Sequence, residues 1–202
     1  MIVHIYNRGV DKRKTFETSR DYNRFVEYLY LCNSRKEVRY DNLQRYKKYK
    51  NVFDYEISET LVDIGAWCIM PNHFHILISI SNQEDLSKFM QKITTAYSMY
   101  FNKKNNRTGA LFAGTYKQKF VEDDNYYSVL WNYIHLNPLD LFPGNNGDIL
   151  EKYKYSSLLE FFKIDGQRDE AKILNLKNFP EVKFKSWRDM KEVARGVQTE
   201  QG

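Results

Sequence analysis

Apolar positions along the chain switch between a period of two and a period near four, and the switches lay out the elements. "IVHIYNRG" is a β-branched and aromatic run ending at Gly9, the mark of a strand and a turn. In "TSRDYNRFVEYLYLCNSR", Phe25, Val26, Leu29 and Cys32 share one side at helical spacing, with Thr18 or Ser19 as cap. Residues 36–56 are polar, charged and tyrosine-rich, and read either as an excursion or as an extension of that helix. "ETLVDIGAWCIM" and "HFHILISI" read as two strands joined through Pro71 and Asn72, and Pro71 has no N–H to give a ladder. Leu86, Phe89, Met90, Ile93, Tyr97, Tyr100 and Phe101 predict an amphipathic helix over 84–101. "ALFAGTYKQKFVE" predicts a loop and a strand. Asp123 or Asp124 then caps a helix through "NYYSVLWNYIHLN", which Pro138 stops.

The order strand, helix, strand, strand, helix, strand, helix is the ferredoxin-like split βαβ pattern. It predicts an α+β domain, an antiparallel sheet with helices packed on one face. This domain spans residues 1–165, with 36–56 as a basic insertion. After a short aromatic helix in "YSSLLEFF", residues 166–202 form a charged C-terminal extension. No internal repeat is present.

A chain of 202 residues with 42% hydrophobic content can bury one sizeable core. The formal net charge of +5 permits an anionic partner. Lys, Arg and Tyr are interleaved in "NLQRYKKYKNVFDY" and "GTYKQKF", so that cations can meet phosphates while rings stack on bases. The alternative is a solvated charged surface. Cys32 and Cys68 are too few and too far apart for a disulfide framework or a zinc knuckle. The longest apolar runs are strand-sized, so no membrane span is expected, and the chain reads as soluble and cytoplasmic.

Chemistry concentrates in "MPNHFHILISI". Side chains alternate along a strand, so His73 and His75 share one face while Phe74 points to the other. Two imidazoles so placed are either hydrogen-bonded core histidines or an incomplete metal site that needs a third ligand. "NYIHLNP" places Tyr133 and Asn137 one helical turn apart on one face. If that face packs on the histidine strand, Asn137 completes a ligand set beside Tyr133. Otherwise Tyr133 is a packing residue, and at its free pKa of about 10 a tyrosine is a poor nucleophile without help. His135 points to a different face and reads as a surface residue or as support for a ligand.

"MPNHFHILI", a long amphipathic helix and "GTYKQKFVEDDNYYSVLWNYIHLNPL" together resemble the single-tyrosine HUH (IS200-like) transposases, in particular the REP-associated tyrosine transposase branch. "HIYNRGVDKRKTF" is similar to the family's start and "KYSSLLEF" to its tail. The likeness covers roughly residues 2–162. It implies His73 and His75 as metal ligands, Tyr133 as nucleophile and Asn137 in the place of a third, Gln ligand. It also implies Mg²⁺ or Mn²⁺ as cofactor, and cleavage of single-stranded DNA beside a hairpin through a 5′-phosphotyrosine. Relatives of this chemistry work as homodimers and as monomers. For DNA binding the candidates are Arg8 at a strand end, Lys117 and Lys119 on one face of the strand before the tyrosine helix, and Tyr116 as a stacking ring. Two other classes compete. One is a non-enzymatic ferredoxin-like module for single-stranded nucleic acid. The other is a metallohydrolase using metal-bound water, which would want carboxylates such as Glu84 or Asp85 near the histidines.

Overall fold

The computed structural model describes residues 1–45, 49, 51–144, 147–162, 168–183 and 188–190. Four strands, β1 (Ile2–Arg8), β2 (Asp63–Met70), β3 (His73–Ser79) and β4 (Lys117–Phe120), form one sheet in the order β2-β3-β1-β4. Every pairing is antiparallel. Between them run α1 (Ser19–Leu31), α2 (Tyr40–Arg45) and α3 (Gln83–Lys104); α4 (Asp124–Leu136) and α5 (Leu158–Phe162) follow. This is the predicted split βαβ order with one short extra helix.

The alternation in β1 and β3 sorts the sheet into two faces. Val3, Ile5, Phe74, Ile76 and Ile78 lie in the larger core, with Phe25 and Leu29 of α1 and Phe89 and Ile93 of α3. These two helices occupy one face, as the pattern predicts. Leu77, Cys68 and Met70 point the other way, into a second core with Leu130, Trp131 and Ile134 of α4. The third long helix therefore covers the face that carries the histidines.

Local signals account for the boundaries. Thr18 caps α1 in a box closed by the buried Asp21 carboxylate, which accepts from the Thr18 backbone N–H at 2.9 Å. Asp123 caps α4 by accepting from the Tyr126 N–H. Met70 pairs with His73, so Pro71 and Asn72 are the whole hairpin loop. The loop after β1 holds that hairpin: Gly9 N–H donates to the Asn72 carbonyl, and Thr15 and Phe16 donate to that of Pro71. A Cβ on Gly9 would lie 2.4 Å from the Arg13 carbonyl, so this turn closes on itself only with glycine.

Residues 36–56 are an excursion, not a longer α1. The helix ends at Leu31 with Cys32 as its cap, and the segment leaves to form α2 and a 3-10 turn at Val52–Asp54. That turn buries Phe53 against Tyr30, ring centres 5.1 Å apart. Within the charged extension, residues 168–183 dock along β2. Ile173 enters the larger core, Leu174 bridges Ile64, and the Phe179 ring leaves no room for a Cβ at Gly65, where β2 bulges. The last residues, 191–202, lie outside the described part. Among the described residues no helix is long and apolar enough to cross a membrane. Both cysteines are free and buried.

Candidate active site

The β1–β3 register sets Arg8 opposite His73, Tyr6 opposite His75 and His4 opposite Leu77. Directly opposed residues share a face, so His4, Tyr6, Arg8, His73 and His75 stand together on the α4 side. The β1–β4 register adds Lys117 opposite Tyr6 and Lys119 opposite His4. Both lysines are exposed, and Lys119 Nζ lies 5.0 Å from the centre of the Tyr126 ring. A basic strip thus borders the histidines.

α4 completes the site from above. Its packing on β2 and β3 brings the Tyr133 ring to 5.5 Å from that of His75, edge on. Asn137, one turn further, donates from Nδ2 to the Tyr133 carbonyl at 2.8 Å. Its amide orientation is thereby set, and Oδ1 faces His73 Nε2 at 3.4 Å. The sequence-predicted quartet His73, His75, Tyr133 and Asn137 is gathered in one place.

The hydrogen-bond network indicates which ring nitrogens carry protons. Burial lowers His73 to about 4, and the positive charge of Arg8 pushes the same way against the Asn137 contact, so the ring is neutral. Its Nδ1 lies 2.7 Å from Asn72 Oδ1, while the Asn72 amide nitrogen donates to the Lys12 carbonyl. Nδ1 therefore bears the proton, and the Nε2 lone pair confronts the Asn137 oxygen, acceptor against acceptor. His75 is held far below its ordinary range by burial, with His4, His73 and Arg8 pushing the same way. Its Nδ1 lies 2.9 Å from His4 Nε2, and its own Nε2 is buried without a hydrogen-bond partner. In the tautomer in which His75 Nδ1–H donates to His4, that Nε2 is a buried acceptor without a donor, costly unless a cation or proton meets it. Two imidazole nitrogens and an amide oxygen, all lone pairs, fit a divalent cation. Among the described residues no three His, Cys, Asp or Glu side chains are grouped for an ion.

Burial raises Tyr133, opposed by its contact with Asn137 and by the charge of Arg8. The phenol is therefore protonated at neutral pH.

Tyr116 and His135 do not join the histidine cluster. Tyr116 packs against the core on the α1–α3 face and is not brought to the histidines. It precedes Lys117 by one residue, and strand alternation sends it the other way. His135 is wholly buried: it is bonded through Nδ1 to the Trp131 carbonyl and through Nε2 to Ser157 Oγ, tying α4 to the "YSS" segment. Asp85 is engaged in a two-pronged pair with Arg35, and its backbone N–H donates to the Asn82 side chain that caps α3, so it supplies no carboxylate to the histidines. His4 is the residue sequence reading passed over. Its signal was present as a polar residue in the strand "IVHIYNR", in register with Tyr6 and Arg8 every second position.

A four-stranded antiparallel α+β sheet of this kind also occurs in a solved REP-associated tyrosine transposase bound to a REP hairpin. The likeness covers 84% of this chain and 83% of that one, with a TM-score of 0.50 and 11% sequence identity. At that identity it speaks for the fold alone. No curated protein matches the chain. The family model of IS200-like transposases matches residues 21–137, more than half of the chain and all four of the gathered residues. The chain belongs to the IS200-like transposase family.

Proposed function

We propose that this protein is a divalent-metal-dependent strand transferase for single-stranded DNA next to a hairpin, with Tyr133 as nucleophile. The observation that carries the proposal is the set of facing acceptors, His73 Nε2 and Asn137 Oδ1 with the unpartnered His75 Nε2 on the adjoining ring, beside the tyrosine. His73, His75 and Asn137 would hold Mg²⁺ or Mn²⁺, the nitrogen ligands suiting Mn²⁺ and the amide oxygen either ion. Such an ion, when bound, draws charge from a non-bridging phosphate oxygen and lowers the barrier to in-line attack.

The chain's own groups do the rest. Arg8, Lys117 and Lys119 line the approach and hold phosphates without reading bases. Tyr133, fixed on a helix packed against the sheet, presents its hydroxyl to phosphorus. As the tyrosyl O–P bond forms, the P–O3′ bond breaks; the phenol loses its proton and the leaving 3′ oxygen gains one. The products are a 5′-phosphotyrosine and a free 3′-hydroxyl. Because the phosphodiester is exchanged and not hydrolysed, the 3′-hydroxyl of a second strand can displace Tyr133 and reseal the DNA without a nucleotide cofactor. A non-catalytic binding module gives no reason for buried acceptors facing one another at a tyrosine.

The test is a denaturing gel of purified protein with end-labelled hairpin DNA carrying a single-stranded flank, with Mn²⁺ or Mg²⁺. A metal-dependent covalent protein–DNA band is expected for the natural sequence. Tyr133→Phe should lose the band and His73→Ala should reduce it at least a hundredfold, with DNA binding retained in both. A band that persists in Tyr133→Phe would overturn the nucleophile, and tight binding without any band would overturn the enzyme.

A further inference from the structure

On the side of the sheet away from the histidines lies an open trough of about 1390 Å³, between α1, α3 and the start of the 36–56 excursion. We propose that this trough is a second DNA-binding surface, which holds backbone phosphates of the substrate at a distance from the bond being cleaved. The inference rests on the strand-transfer function proposed above.

Its walls carry six cationic side chains, Arg20, Arg24, Arg39, Lys103, Lys104 and Arg107, against the one carboxylate of Asp41. Three of the cations are committed to the fold or to a neighbour. Lys104 reaches the buried Asp21 at 2.7 Å, Arg24 is bonded to Glu27 at 3.2 Å, and Arg39 pairs with Glu37. The other three keep their charge for a ligand. Arg20 and Lys103 are exposed, with no carboxylate partner among the described residues, and Arg107 is bonded only to the neutral oxygens of Asn102 and Ala110.

The excursion is pinned in place as one wall. Tyr40, at the head of α2, lies flat against the Arg24 guanidinium, 3.7 Å from carbon to ring centre, and Tyr100 of α3 stands 4.8 Å from the same group. This cation–π clamp joins α1, α2 and α3 and leaves the free charges along the rim. Beside them Met99, 68% exposed, offers an apolar contact one helical turn before Lys103. A rigid groove with uncompensated cations over an aromatic and apolar floor suits a nucleic-acid backbone, whose affinity comes from phosphate neutralisation. The placement also gives residues 38–42 a role that strand transfer at Tyr133 does not.

The test is fluorescence anisotropy of the full chain with labelled hairpin DNA, in one series with a long flank and in another cut back to the cleavage site, across a salt titration. Replacing Arg20→Gln and Lys103→Gln together should weaken binding of the long DNA about tenfold and flatten its log–log salt slope by about 1.4–1.8, from roughly 0.7–0.9 per phosphate contact. Binding and covalent capture of the short DNA should not change. Met99→Lys, a gain of charge that no misfolding can imitate, should tighten the long DNA and steepen the slope. Equal affinity and slope for the long DNA in all variants, with covalent capture intact, would overturn the trough and leave the enzyme standing. Loss of long-DNA binding in the double variant without covalent capture by any form would do the reverse.

Discussion

His4 Nε2 lies 2.9 Å from His75 Nδ1, with both rings buried and stacked 5.1 Å apart. In the tautomer that leaves His75 Nε2 free as a ligand, Nδ1–H donates to His4, which fixes the ring and makes it a better base. His4→Phe keeps the ring volume and removes the acceptor. Its Mn²⁺ dissociation constant, measured by calorimetry without DNA, should rise about 10–100-fold while circular dichroism is unchanged. An unaltered constant would show that His4 only fills space.

The basic strip on β4 should act on binding and not on chemistry. Lys117→Gln and Lys119→Gln each neutralise one exposed charge on the histidine face. Each should flatten the salt dependence of DNA affinity by about one unit at most. The rate of covalent capture at saturating DNA should stay at that of the natural sequence. A fall in that rate with affinity unchanged would place the lysine at the reacting phosphate.

Acid should destabilise the fold through the histidines. Burial lowers His4 to about 3, with Lys119 adding to it, and His135 to about 3; His73 falls to about 4 and His75 well below its ordinary 6.5. The folded chain keeps these rings neutral, whereas unfolded rings titrate near 6.5, so below that pH the unfolded state binds more protons. Stability is thus full above about pH 6.5 and falls as the pH drops towards 4. At pH 5 each ring costs roughly 2 kcal/mol relative to neutrality. Urea midpoints at pH 7 and pH 5 check this; equal midpoints would mean that the rings are not buried as neutral species.

Asp21 is the structural counterpart. Its buried carboxylate accepts from the backbone of Glu17 and Thr18, the Thr18 and Tyr100 hydroxyls and Lys104. Burial alone would raise its pKa, and these donors, Lys104 foremost, hold it below the usual value instead. Asp21→Ala strands several donors at the α1 N-terminus and should cost about 3 kcal/mol in urea unfolding. A loss below about 0.5 kcal/mol, the scale of an ordinary surface substitution, would contradict this account.

What the chain alone determined is what local geometry controls. A period of two placed His73 and His75 on one face, a period of 3.6 placed Tyr133 and Asn137 on another, and Pro71, Thr18 and Asp123 marked a turn and two helix starts. Element order then led to the strand order. The tertiary structure decided which faces meet. That α4 covers the histidine side depends on apolar area on Leu77, Cys68, Trp131 and Ile134, far apart in sequence and joined only by burial. Sheet register brought His4 to His75, and packing sent Tyr116 to the opposite core, buried His135 against Ser157 and made residues 38–42 a wall of the trough. Periodicity shows which side chains travel together, but the partner of each face is set by the sum of contacts over the whole fold.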